Sequence, residues 1–429
     1  MLQLTTRTVQ VHAFGTPFPL LDSADPLLWW RDGEGMLGVG RALTLTFSGP
    51  DRFDQARRVW MSVADSARQL GAAAEPGTGL VAFGALAFDD SAAVPSVLVV
   101  PSLLITRRGG CTWATRVVDS SAGSSVDDQL DPDRIRAEVD QLLAASAGRR
   151  ARRATALAAD SVATLHADAD AREQHVAAVR RALDLIDRGT LQKVVVARSE
   201  QASLPAGFDL STVLQRLESV YPSCWNFCVD GFFGASPETL VEAHHGQVHA
   251  RVLAGTRPRG AGSAVDDLGH DLLTSAKDQH EHALAAQSLL DALAPHVRGL
   301  QTDGPGILEL PNVLHLATDV DAELADGADV LALVAAVHPT AAVAGVPRET
   351  SLQAIGSIEG ANRGRYAGPV GWIDASGDGE WAIGLRSAQR IGSTITAWAG
   401  GGIVAGSVPE QEFDETSAKL QPIRQALAG

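Results

Sequence analysis

At 429 residues, 45% of them apolar and 20% charged, the chain is long enough to bury a sizeable core and has an ordinary globular composition, which excludes global disorder. A formal net charge of −16 repels nucleic acid and anionic membrane alike, so neither is expected as a partner and any anionic substrate needs cations gathered locally. The apolar run Val330 to Val337 falls well short of the roughly 18 to 20 residues of a spanning helix, the start resembles no secretory signal, and Cys111, Cys224 and Cys228 can neither all pair nor form a zinc set, which points to a reducing cytoplasm.

Up to about residue 150, short apolar runs alternate with turns. Leu43 to Phe47, Leu80 to Phe88, Val97 to Ile105 and Cys111 to Val118 are predicted strands, with helices over Phe53 to Leu70 and Pro132 to Ala145. Gly33, Gly35, Gly38 and Gly40 do not make a phosphate-binding loop and read as turns. The basic cluster Arg149, Arg150, Arg152 and Arg153 reads as a solvated connector. No Pro/Gly/Ser-rich linker divides the chain. The expectation is one continuous structural domain, with a β-rich part at 1–150 and a second region at 165–429.

From Asp170 the pattern sharpens. Val176, Val179, Leu183 and Ile186 mark one face of a helix that Gly189 ends. In the strand that follows, Leu191 to Arg198, Lys193 shares a face with Val195 and Ala197. Such a lysine can snorkel out at a sheet edge, or serve as a base if a partner faces it. Strand pieces Phe232 to Ala235 and Thr239 to Ala243 break at Ser236-Pro237-Glu238, where the proline removes a ladder donor and displays Glu238. There a glutamate is either a surface turn residue or, opposed to a lysine, an acid. The chain then turns at His244-His245-Gly246 into a strand over Val248 to Ala254. Cys224 and Cys228 read as packing.

A helix over Asp278 to Leu293 places Glu281 with Ala285, Leu289 and Leu293 on the inward stripe, where a charge must be paired or metal-bound. His280 and His282 are expected to point elsewhere. Tyr366 to Asp374 and Trp381 to Ala388 form a predicted antiparallel pair, with Arg386 inside the second strand as a candidate anchor for a carboxylate. Ser407-x-x-Glu410 reads as a capping box. On the helix it opens, Glu412, Glu415 and Lys419 share a face, either as a solvated ion pair or, with Glu281, as oxygen ligands of the kind Mg²⁺ takes.

In order and spacing, Gln192-Lys193-Val194-Val195-Val196-Ala197-Arg198, Ser236-Pro237-Glu238, Ala254-Gly255-Thr256-Arg257-Pro258-Arg259-Gly260, His338-Pro339-Thr340 and Glu412-Phe413-Asp414-Glu415-Thr416 with Lys419 resemble the chorismate-utilising enzymes. Within them the chain resembles the isochorismate synthases, from Asp170 onward and loosely before. The resemblance implies an α/β (α+β) fold: two stacked antiparallel β-sheets wrapped by helices, with the active site in the cleft between them. It implies Lys193, a position that is glutamine in ammonia-adding members, as the base for water, and Glu238 as the acid for the departing hydroxyl. It implies Mg²⁺ on Glu281, Glu412 and Glu415, and chorismate held by Gly255, Thr256, His315, Ala342, Tyr366, Arg386, Gly402 and Lys419.

Ala254 stands where aminodeoxychorismate synthases carry lysine, which argues against that chemistry. Ala342 stands where salicylate-forming relatives carry threonine, which points to release of isochorismate. The implied function is Mg-dependent, reversible conversion of chorismate to isochorismate by water addition at C2 with loss of the C4 hydroxyl, feeding menaquinone or siderophore and salicylate synthesis. A monomer or weak dimer without a glutamine amidotransferase subunit is expected. The alternatives are a salicylate synthase and a non-catalytic chorismate-binding protein.

Overall fold

The predicted strands pair into two sheets. The computed structural model describes residues 3–71, 75–122, 126–156, 162–258, 265–310, 313–325 and 327–428. The larger sheet has twelve strands in the order Gly345–Val346, Lys193–Ser203, Thr394–Val404, Ser387–Ile391, Phe232–Ser236, Trp225–Val229, Leu27–Arg31, Glu34–Val39, Leu103–Arg108, Cys111–Asp119, Leu4–Val11, Arg68–Leu70. The smaller has nine: Val297–Glu309, Val313–Leu324, Gln247–Pro258, Thr239–His244, Gly379–Ile383, Pro369–Asp374, Val81–Ala85, Ser96–Val100, Leu43–Phe47. All pairings are antiparallel except that of Leu4–Val11 with Arg68–Leu70. This is the expected α+β class of two antiparallel sheets wrapped by helices. Both sheets mix strands from before residue 120 with strands from after 190.

The facing sheets bury aromatic and β-branched side chains between them. Leu27, Trp29, Met36, Trp225 and Phe227 from the larger sheet meet Val81, Phe83, Val97, Val99 and Trp372 from the smaller, and Trp29 stacks on Trp225 at 4.5 Å. Glu380 crosses this core. It accepts hydrogen bonds from the indoles of Trp29 (2.8 Å) and Trp372 (3.1 Å) and pairs with Arg108 of the other sheet at 2.6 Å, so the buried carboxylate is fully satisfied. Helices cover the outer faces, with Leu210–Val220 and Pro409–Ala428 against the larger sheet and Val330–Val337 against the smaller.

Several local expectations change. The run Val97 to Ile105 is two strands, Ser96–Val100 and Leu103–Arg108, in different sheets, because Pro101-Ser102 ends the first and the chain then swaps layers. The first long helix stops at Ser66, and Arg68–Leu70 is an edge strand. The helix from Pro132 continues to Ala156, so Arg149 to Arg153 ride on its last turns in place of a connector; their side chains lie outside the described residues. Gly33 and Gly40 are turn residues with positive φ, whereas Gly35 and Gly38 lie within the strand Glu34–Val39.

Candidate active site

The cleft begins where the chain crosses between sheets. Phe232–Ser236 in the larger sheet continues through Pro237-Glu238 as Thr239–His244 in the smaller. Gly379–Ile383 in the smaller sheet passes through Gly384-Leu385-Arg386 into Ser387–Ile391 of the larger. The crossings are sewn together: Ile383 N–H donates to Glu238 O at 3.1 Å, Ser236 Oγ to Ile383 O at 2.5 Å, and Ala235 N–H to Arg386 O at 3.2 Å. Arg386 therefore sits between strands, at a φ of +47°, and not inside one as its sequence context suggests. Tyr366 likewise precedes its strand, which starts at Pro369. Where the sheets part, Glu238 and Arg386 both line one cavity.

The opposite wall is the pair Lys193–Ser203 and Thr394–Val404, in which Val195, Val196 and Ala197 face Gly402, Gly401 and Gly400. A Cβ at Gly402 would stand 2.2 Å from Glu281 Oε1 and 3.0 Å from Lys193 Cε, so the absence of a side chain is what lets Glu281 reach across from its helix Ala276–Leu293. Lys193 is 0% exposed, which removes the snorkelling reading. Its Nζ lies 3.0 Å from Glu281 Oε1. That contact is close but poorly aligned, and Nζ has no well-formed hydrogen bond.

Glu238 is buried, its Oε1 accepting only the Leu253 amide at 3.2 Å. Burial pushes its carboxyl up to about 7, against the pull of that amide and of the Lys193, Arg386 and Lys419 charges. His315 lies between Arg386 and Thr256: Arg386 Nη2 donates to its Nε2 at 3.1 Å, and Nδ1 meets Thr256 Oγ1 at 3.1 Å. Burial and the Arg386 charge hold its pKa well below the ordinary value. The neutral ring thus carries its proton on Nδ1. Tyr366 stacks on Trp398 at 5.9 Å, and burial pushes its phenol to about 12. Lys419 donates to Gly400 O at 2.9 Å and pairs with Glu415 at 2.6 Å.

Glu238, Gly255, Thr256, Glu281, His315, Ala342, Tyr366, Arg386, Gly402 and Lys419, each expected at the site from sequence, line the same cavity, whereas Lys193, also expected there, does not line it and sits behind Glu281 and Gly402. This cavity, the inner end of the cleft, encloses only about 50 Å³, and an outer lobe of about 530 Å³ adjoins it, sharing Thr256, Glu281 and Gly402 as walls. A ring-sized ligand must therefore extend into the outer lobe or move the walls. That lobe is lined by Glu412 and Glu415 from the helix Pro409–Ala428. Glu412 Oε2 and Glu415 Oε1 point toward Gly401, 3.1 and 3.8 Å from where its Cβ would be.

The three glutamates are hard oxygen donors converging on Gly401 and Gly402, the kind of set that suits Mg²⁺, which takes one or two carboxylates and fills the rest with water and substrate. Burial and the Glu415 charge raise the pKa of Glu412, as expected for acids crowded together. Each carboxylate has a lysine partner: Lys193 on Glu281, Lys277 on Glu412 at 3.0 Å, Lys419 on Glu415. Among the described residues no group of three ligands already closes on one point.

Sequence reasoning missed Lys277, although it lies four residues before Glu281 and so on the same helical face. It also missed the Arg257–Asp278 pair (2.6 Å) under Gly255. His282, expected to point away, is buried, bonding Thr318 Oγ1 at 2.7 Å and approaching Ala254 O at 3.3 Å, where it braces the turn into Gly255. His280 is exposed. Ser407 does not cap the helix. Its Oγ accepts from Val404 N–H at 3.3 Å and Pro409 opens the helix. Cys224 and Cys228 are free, buried thiols; burial pushes Cys224 up to about 12, in keeping with packing.

Comparison with known proteins adds to this geometry. The family described as chorismate binding enzyme matches residues 19–428. The salicylate biosynthesis isochorismate synthase of Pseudomonas aeruginosa is 40% identical over 269 residues, 61% of this chain and 56% of that protein, so the match spans just over half of that relative's length. Isochorismate synthase DhbC of Bacillus subtilis is 37% identical over 269 residues, 59% of this chain and 68% of that one. Among solved structures, the crystal structure of a 2,3-dihydroxybenzoate-specific isochorismate synthase, DhbC, from Bacillus anthracis superposes with a TM-score of 0.73 at 27% identity, covering 96% of this chain and 98% of the other.

Proposed function

The chain belongs to the family of chorismate binding enzymes, and on that premise we propose that it is an isochorismate synthase, converting chorismate reversibly to isochorismate. The observation that carries this reading is a carboxyl raised to about 7, Glu238, lining the cleft, with a fully buried lysine, Lys193, behind its wall and 3.0 Å from Glu281, which lines the same cleft. The names of the relatives point the same way.

In this reading Lys193, as the neutral amine and not as the ammonium paired with Glu281, takes a proton from water as its oxygen bonds to C2 of the ring. The two ring double bonds shift, and the C4–O bond breaks as Glu238 gives its proton to the departing hydroxyl. One water enters and one leaves, so the reaction is an isomerisation. A proton-holding Glu238 near neutral pH is what an acid needs there. Arg386, fixed by His315, would anchor the enolpyruvyl carboxylate, with Lys419, Tyr366, Gly255, Thr256 and Gly402 lining the rest. Glu281 and Glu415, with Glu412 beside them, would hold Mg²⁺, which would supply orientation and Lewis acidity at the ring carboxylate.

We take the chain to act as one structural domain, in the cytoplasm, without an amidotransferase subunit, as a monomer or weak dimer. No helix among the described residues is long and apolar enough to cross a membrane. Relatives' names span siderophore and menaquinone routes, and either could use this product. The test is purified protein with chorismate and Mg²⁺, products separated by chromatography. A reversible mixture of chorismate and isochorismate is expected. Unchanged chorismate would sink the proposal, and stoichiometric salicylate with pyruvate would replace it by the salicylate synthase reading.

A further inference from the structure

A second cavity, of about 620 Å³, lies between the helices Ala171–Asp187 and Arg348–Glu359 and the far end of the strands that wall the cleft. Trp398 lines both cavities. His175 lines the second one, is 3% exposed, and among the described residues has no hydrogen-bond partner on either ring nitrogen. Its ring meets Phe413 edge-on at 5.9 Å, which accounts for packing but not for the nitrogens. Burial, followed by the Arg198 charge, lowers its pKa to about 4, so the ring is neutral and offers one donor and one acceptor. Leaving both idle in a buried place is costly.

The sheet edge beside it is also open. Ala197 N–H is taken by Glu359 Oε1 at 2.8 Å, and Gln201 is bridged to His166. The strand Gly345–Val346 covers only Lys193 and Val194. Ser199 pairs with Trp398 on one side, and on the outer side alternation turns its peptide outward between these points, where among the described residues no strand is paired to it. The lining also includes Ala171, Ala177, Ala178 and Ala361, small apolar side chains, alongside the polar Gln174 and Ser357. Of the charges, Glu359 is locked onto Arg363, and Arg198 is engaged by Glu200, Thr416 and Ser417. Arg181 gives one Nη2 bond to Ile358 O at 2.7 Å and keeps further donors at the rim. Asp168 is exposed there and screened by solvent.

We propose that this cavity is a regulatory site for a small planar aromatic hydroxy acid, its ring over the alanines beside Trp398, its hydroxyl on His175 and its carboxylate on Arg181. Occupancy reaches the active cleft through Trp398, which stacks on Tyr366. Loss of the enolpyruvyl group from the product proposed above, with aromatisation, yields a ligand of this class. That end-product role rests on the proposed function, whereas binding itself does not.

Calorimetric titration of the full chain with 2-hydroxybenzoate should give one site per chain that persists when chorismate saturates the cleft. His175→Phe, and Ala361→Trp on the exposed rim as a second variant, should each weaken it at least tenfold and leave the ligand-free rate unchanged. Benzoate, lacking the hydroxyl, should bind wild type about as weakly as 2-hydroxybenzoate binds His175→Phe. In the rate assay 2-hydroxybenzoate should lower kcat severalfold with little change in KM. Competition with chorismate, or variants that bind like wild type, overturns the site, and binding without effect on rate overturns its regulatory role. Binding by a protein that leaves chorismate unconverted supports the site and sinks only the reaction proposed above.

Discussion

The inner end of the cleft and its outer rim both gather charge, but they satisfy it in different ways. Inside, Arg386, His315 and Thr256 form one hydrogen-bonded chain, and a neutral, oriented imidazole holds the guanidinium in place. At the rim, Glu281, Glu412 and Glu415 each pair with a lysine at 3.0, 3.0 and 2.6 Å. Lysine is a point charge on a flexible stem, so these pairs can be exchanged for other cations in a way that a fixed guanidinium fork cannot. The inner end is built to receive an anion without rearranging. The rim is built to trade partners if another cation arrives.

Metal removal tests the rim directly, and the largest effect is expected from it. Activity should vanish with EDTA and return with Mg²⁺, because three carboxylates and a substrate dianion would otherwise share one low-dielectric lobe. Full activity after rigorous metal removal would mean that the lysines alone neutralise the rim, and the contrast between the two ends would collapse. Lys193→Ala comes next. It removes the base and leaves the Arg386 anchor, so kcat should fall by about 10² to 10⁴ while chorismate still binds, read by turnover alongside calorimetry. A near wild-type kcat would reduce Lys193 to a counter-ion of Glu281.

Glu238 tests the inner end. With its carboxyl raised to about 7, the folded protein holds this proton more tightly than the unfolded chain does. Its contribution to stability is therefore full below the ordinary carboxylate range and is lost as pH rises through about 7. The acid's work needs the same proton, so the rate should decline on the alkaline side of that value. Glu238→Gln should lower kcat by about 10² with little change in KM, and should remove that alkaline limb. A variant that changes KM alone would make Glu238 a binding residue.

How far the sequence could be read follows from which features are local. Glu281 was placed inward by its four-residue spacing to Ala285, Leu289 and Leu293, and all four are buried on the helix Ala276–Leu293. The pairing of Lys193 with that carboxylate depends on Gly402, a contact between distant segments that no periodicity reveals. Arg386 was read inside a strand because Trp381 to Ala388 is mostly apolar around it. The break there is a positive φ at an arginine together with a change of sheet, and neither leaves a mark in composition. The same change of sheet misled the reading of Val97 to Ile105. Likeness to a family supplied the residues of the site, and the fold supplied their order along the cleft.

The smallest expected effect concerns what leaves the inner end. Ala342 and Val343 line the same cavity as Leu385 and Arg386, and their side chains end in methyl groups only. A methyl offers no hydrogen bond to orient the enolpyruvyl group, so isochorismate should depart intact. Ala342→Thr adds one hydroxyl and one methyl at the inner end and should raise pyruvate release from near zero to a small, measurable fraction of turnover. Coupling the reaction to lactate dehydrogenase reads this directly while chromatography follows isochorismate. If pyruvate stays at background and isochorismate formation is unchanged, the product is not set at this position. Control of elimination would then pass to the Arg386 side of the inner end, where the carboxylate anchor alone fixes how the enolpyruvyl group lies.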